Sequence, residues 1–198
     1  MWHRHPWIVV TMFRSLFGKK KKESLPRDES IRSAGIGDVV VIAGFSLTLG
    51  DAYFIVELVS RYESPVGKAY ELMGVEGDRR VAINWTDDSG GLFISVAEQD
   101  TPMGLSTLGV TEEELGRMDE SHSIDNSLTY DGDTYFYRNS HQVTYYKDNG
   151  REGEAFWGWE FSNDEGKKMI SVVKWDEVPF EVYTSTTVSP DMVSVYKK

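Results

Sequence analysis

The stretch "SLTYDGDTYF", Ser127 to Phe136, repeats an earlier one, "SLTLGDAYF", Ser46 to Phe54, with one residue inserted at the turn. The echo continues past its start, which is what separates a duplicated unit from a chance match. After Phe54 comes "IVELVSRY", an alternating run that predicts a strand with Phe54, Val56, Leu58 and Tyr62 on one face. After Phe136 comes "YRNSHQVTYYKDNGREGEAFWGWEF", where Asn149-Gly150 signals a hairpin. Next, "EGDRRVAINWTDD", Glu76 to Asp88, lines up with "EGKKMISVVKWDE", Glu165 to Glu177, allowing a one-residue slip that matches Trp85 with Trp175. A last strand follows each, "GLFISV" and "PFEVYT".

Two β modules follow from this reading, residues 37–99 and 126–196, descended from one by duplication. Between them "TEEELGRMDES" predicts the one helix, with Thr111 as N-cap and Glu114 closing a capping box. Elsewhere the punctuation is turn chemistry: "DDSGG", "NDEG", "KDNG". The expected class is mainly β, two antiparallel meanders packed as a barrel or sandwich that closes most sheet edges.

The charge divides the chain in two. Residues 12–33 carry seven Lys+Arg and three Asp+Glu, a net of +4; residues 34–198 carry 13 and 29, a net of -16. A basic tail, residues 1–33, therefore precedes an acidic β domain, residues 34–198. That domain would repel nucleic acid, whose binding rests on neutralised phosphates. The partners its charge favours are a basic protein or a cationic ligand. With no cysteine, thiol nucleophiles, disulfides and thiolate metal sites are excluded, which fits a reducing cytoplasm.

The apolar run of the tail, from Trp7 through Phe13, is far shorter than the ~20 residues that span a bilayer. Four lysines stand where a signal-peptidase site would be expected, so no secretory signal is predicted. From Met12, a candidate alternative start to Met1, "MFRSLFGKKKK" places Phe13, Leu16 and Phe17 at i, i+3 and i+4, followed by Lys19, Lys20, Lys21 and Lys22. An apolar stripe beside lysines can dock peripherally on an anionic membrane, here the inner face; the plainer reading is a solvated leader.

Candidate ligand-binding residues are aromatic and acidic. In a strand, Trp157, Trp159 and Phe161 share one face of "AFWGWEF", while Phe156, Gly158 and Glu160 share the other. The tryptophans, with Trp85 and Trp175, are expected first as core. Their functional alternative is a stacking platform for a sugar, a base or a proline-rich peptide, or, with Glu160, a grip on a cationic ligand such as a polyamine between the modules. Carboxylates are so abundant that none stands out as a general acid, and no nucleotide, hydrolase or zinc-protease motif occurs. No catalytic residue, metal site or cofactor is predicted.

The run "FWGWEFSNDEGKKMISVVKWDEVPFEVYTSTTVSP", with Trp159, Glu160, Gly166, Ser171, Trp175, Glu181 and Pro190, resembles the signature of a bacterial domain-of-unknown-function family, number 4178. The likeness covers most of residues 37–196 and is clearest in the second half. It implies a β-rich cytoplasmic accessory domain without assigned activity, whose relatives are often encoded beside membrane-stress proteins and share the short basic start. The expectation is a non-enzymatic interaction module, docked weakly on the membrane by its tail, or, alternatively, a binder of a cationic small molecule.

Overall fold

In the first half of the chain five strands follow one another: β1 (Val39–Ile42), β2 (Ala52–Ser64), β3 (Gly67–Glu76), β4 (Arg79–Asp88) and β5 (Gly91–Ala97). The second half repeats the pattern with β6 (Ser127–Tyr130), β7 (Asp133–Tyr146), β8 (Glu154–Ser162), β9 (Lys168–Trp175) and β10 (Glu181–Val188). A helix, α1 (Glu112–Ser121), joins the halves, and a short strand, β11 (Val193–Tyr196), ends the chain. This computed structural model describes residues 30–45, 50–98 and 101–198.

Every strand pairs antiparallel with its neighbour in sequence within each half, and the halves join twice. β5 pairs with β10, and the far ends of β2 and β7 pair where Tyr62 meets Tyr145. The second junction closes the sheet into a ring, β2-β3-β4-β5-β10-β9-β8-β7. The expected meanders and barrel are therefore present, with β1 and β11 carried outside the ring on β2 and β6 carried on β7.

One device lets two long strands serve both the ring and an outer layer. β2 has a bulge between Val56 and Leu58, and β7 has one between Tyr137 and Asn139. The second lies 81 residues after the first, the same offset as Ser127 from Ser46. A bulge inserts one residue, so every later side chain changes face. Phe54 and Val56 consequently pack in an outer core, while Leu58 and Tyr62 pack inside the ring. The single face expected for these four residues is corrected by that extra residue.

Three apolar cores result. The ring encloses Tyr62, Tyr145, Phe156, Val173, Trp175 and Tyr183. Outside the first half, β1, β11 and the start of β2 cover β3, β4 and β5 through Phe54, Leu72, Ile83 and Ile94. Outside the second half, β6, the start of β7 and α1 cover β8, β9 and β10 through Leu115, Tyr137, Phe161 and Ile170. The helix starts where predicted: Thr111 Oγ1 accepts from Glu114 N at 3.2 Å, and Glu114 Oε2 accepts from Thr111 N at 2.8 Å.

The final strand does not join the meander of the second half. β11 crosses back to pair with β1, Val40 opposite Val195, so the last residues of the span 126–196 complete the outer layer of the first half. Asp38 clamps it by accepting from Lys197 Nζ at 2.8 Å and Lys198 N at 3.2 Å. Burial pushes the Asp38 carboxyl up, but these bonds and one from Gly35 N outweigh it and hold the group below its ordinary range.

Candidate functional site

The sequence-predicted ligand residues do not converge. Trp85 lies in the outer core of the first half, stacked on Tyr70 with ring centroids 4.2 Å apart. Trp159 lies in the outer core of the second half, with Trp157 beside it, half-exposed on the outer face of β8. Trp175 is inside the ring, where its Nε1 donates to Glu181 Oε2 at 3.1 Å. The slip that matched Trp85 with Trp175 in sequence thus separates them across the sheet, as a one-residue shift must. Phe13, Leu16, Phe17 and Lys19 to Lys22 lie outside the described residues.

Glu160 shares the inward face of β8 with Phe156 and Gly158, as the alternation predicted, and is buried. Sequence reasoning missed its companion, Glu71, on the inward face of β3. In "AYELMG" both strand faces are apolar, so alternation gives no warning of a buried carboxylate; the available signal was that "YEL" and "WEF" precede their Glu-Gly turns at equal distance. Glu71 accepts from the Tyr62 hydroxyl at 2.8 Å. Burial pushes its carboxyl up to about 8, opposed only by that hydrogen bond, so it holds its proton at neutral pH.

The register extends these acids into a polar belt around the ring. Glu71 faces Asn84 and Asn84 faces Ser95; Glu160 faces Ser171. Glu71 Oε1, both amide atoms of Asn84, the Ser171 and Ser185 hydroxyls and both ring nitrogens of His141 are buried without a protein partner. Burial also lowers the pKa of His141, favouring its neutral form. A polar atom left dry costs about 1–3 kcal/mol, so hydration is favoured here. The space beside His141, Gly158, Glu160 and Ser171 has room for about one water molecule.

On the outside, one sheet face breaks the pattern of charged surfaces. Across three neighbouring strands the register aligns Tyr196 of β11, Val39 of β1 and Ile55 of β2; the row ends at Val75 of β3, which shares that strand's inward face with Glu71 and Met73. Tyr53 stands one step away, opposite Val41. Tyr196 is 62 % exposed, and Tyr53 and Ile55 are each 54 % exposed. Along β2 this outward set reads Asp51, Tyr53, Ile55, Glu57: two large apolar side chains between two exposed carboxylates. Glu57 pairs with Arg80 at 3.3 Å. β1 and β11 bury their other face, Val40, Ile42, Val193 and Val195, so two-sided apolar strands here leave one side to solvent.

Among the described residues no group of three or more His, Asp or Glu is placed to hold a metal ion, and no helix is long and apolar enough to cross a membrane. No curated protein and no solved structure matches the chain. The family model described as "Domain of unknown function (DUF4178)" matches residues 43–190, from the end of β1 to the start of the turn before β11, and the chain belongs to that family.

Proposed function

We propose that this protein is a non-enzymatic interaction module whose docking surface is the outward face of β11, β1 and the start of β2, and that it takes a basic amphipathic segment of a protein partner. The observation that carries the reading is the in-register row Tyr196, Val39 and Ile55 with Tyr53 beside it. Large exposed side chains aligned across neighbouring strands form a patch rather than scattered singles, and such patches mark interaction sites. The net of -16 on residues 34–198 supplies the long-range attraction for a basic partner.

The interior supports this reading over the alternative. Aromatic side chains fill the ring, and the space beside Glu160 suits about one water, whereas a polyamine needs a channel several times larger. The carboxylates here are also engaged separately: buried Glu71 by Tyr62, and half-buried Glu181 by both Tyr183, at 3.0 Å, and Trp175. Weak peripheral docking on an anionic membrane through the tail is a further part of the proposal, resting on the spacing of Phe13, Leu16 and Phe17 before the lysines.

The test is a titration of the full chain with a synthetic helical peptide of Leu, Phe and Lys. It is run at about 50 mM and about 500 mM salt, between which the Debye length shrinks roughly threefold. Binding should weaken at least fivefold at high salt. Ile55→Ser and Tyr53→Ser should each weaken it about tenfold at low salt, or about 1.4 kcal/mol. Affinity indifferent to both substitutions would overturn the assignment of the face.

A further inference from the structure

The apolar face has a candidate occupant in the same chain. Twenty-nine residues precede Ser30, where the described chain begins. Ser30 lies beside this layer: Ile31 is buried in the core beneath β1 and β11, and the Ser33 carbonyl accepts from Lys197 just after β11. The described chain thus begins at the edge of this layer. Within the preceding residues, "MFRSLFGKKKK" carries the complementary pattern, three apolar side chains at helical spacing and four successive lysines.

We propose that residues 12–22 dock on this face in the same molecule, setting Phe13, Leu16 and Phe17 against Tyr53, Ile55 and Tyr196 and the lysines beside Asp51 and Glu57. The proposal rests on the docking surface argued above and adds the identity of its resident. Geometry allows it. From Lys22 to Ser30 are eight residues, reaching about 26 Å when extended, while the face spans two strand spacings, roughly 10 Å. Charge favours it, since residues 12–33 are net +4 and residues 34–198 net -16. Tethering favours it further, because a short linker holds its segment at millimolar effective concentration, so a weak contact suffices.

Docking within the chain has a regulatory consequence. The side chains that would enter a membrane are those that cover the face, so a molecule cannot do both at once. A partner that takes the face would free the tail, and an anionic surface that takes the tail would uncover the face. The coupling is reciprocal by thermodynamic necessity.

Carbodiimide cross-linking of the full chain, mixed as light and heavy isotopic copies, tests the proposal. Bonds should form from Lys19 to Lys22 onto Asp51 or Glu57, within light or within heavy chains. They should fall at least fivefold in Ile55→Ser, in Tyr53→Ser, and in Phe13→Ser with Phe17→Ser, while all melt near the parent temperature. Mixed light–heavy bonds would make a second copy the occupant and overturn the proposal. So would yields indifferent to the substitutions, which indicate charge attraction alone. So would a tail that cross-links nowhere and engages only phosphatidylglycerol vesicles.

The peptide titration separates failure of this inference from failure of the docking surface. With Phe13→Ser and Phe17→Ser the face is vacated, and the added peptide should bind at least threefold tighter. Peptide binding that depends on Ile55 but ignores the tail substitutions leaves the surface standing and removes the resident. No binding in either background removes the surface itself.

Discussion

The two halves of the ring share strand order and a bulged long strand, yet they are covered differently. Over the second half lies α1, which buries Leu115 and turns Glu112, Glu113 and Arg117 to solvent. Over the first half lie β1 and β11, strands with apolar residues on both faces. A helix needs only one apolar stripe, whereas a strand such as Val39–Ile42, apolar at every position, presents two. The difference explains why one half ends in a charged surface and the other in the row that includes Ile55 and Tyr196. The repeated strand order builds the ring, and its different covering layers give the asymmetry on which the proposed function rests.

The comparison fails at its root if the halves are separate folding units. Phe156 belongs to the second half, but its ring meets Tyr62 of the first edge to face at 6.3 Å and Trp175 at 4.7 Å. Phe156→Ala should cost about 3–5 kcal/mol, the usual range for emptying a buried phenylalanine site. It should also lower one cooperative transition common to both halves. Differential scanning calorimetry checks this. Two resolved transitions, only one of them displaced, would mean that β2–β7 and β5–β10 are interfaces between domains rather than rungs of one ring.

The buried acids sharpen the contrast next. With Glu71 near 8 in the folded chain and about 4.3 when unfolded, the native state holds a proton that the unfolded state releases. Stability contributed by this residue is therefore intact below the unfolded value. It falls as pH rises toward 8 and then levels off. The loss amounts to a few kcal/mol, since each unit of separation is about 1.4 kcal/mol. Glu71→Gln keeps the shape and an acceptor for Tyr62 without the charge. Its melting temperature should exceed the parent's at pH 8 and approach it at pH 4.5. Equal differences at both pH values would show that Glu71 carries no such proton.

Much of this architecture was legible because duplication and alternation are written in residue type. The helix cap at Thr111, the opposed faces of "AFWGWEF" and the paired meanders all follow from local pattern. The bulges were not legible: between Val56 and Leu58 the alternation of apolar residues continues unbroken, while the sheet changes the face they occupy. The return of β11 to β1 was hidden for a different reason, since four residues of "VSVY" specify a strand but not a partner 150 residues away. The exposed apolar face was not legible because Val39, Tyr53 and Ile55 are typical core residues, and only the register shows which of their neighbours turn inward. Glu160 was singled out for a site with the tryptophans, yet it points away from Trp157 and Trp159 into the ring.

Two glycines offer the finest comparison, one in each half. An added Cβ at Gly74 in β3 would stand 2.7 Å from Phe54 Cβ, where the bulged β2 coils over the sheet. At Gly158 in β8 the nearest atom would be Phe156 Cε2 at 3.4 Å, an ordinary contact beside the water-sized space. Gly74→Ala must push the outer strand off its support and should destabilise by about 1–3 kcal/mol. Gly158→Ala restricts the unfolded chain without a clash and should stabilise by about 0.4–1 kcal/mol. Chemical denaturation of both variants measures the pair. If Gly74→Ala is neutral, the tight coiling that carries β2 from ring to outer layer is looser than its geometry. If Gly158→Ala is destabilising instead, the added methyl displaces the water that the buried polar atoms beside His141 and Glu160 favour.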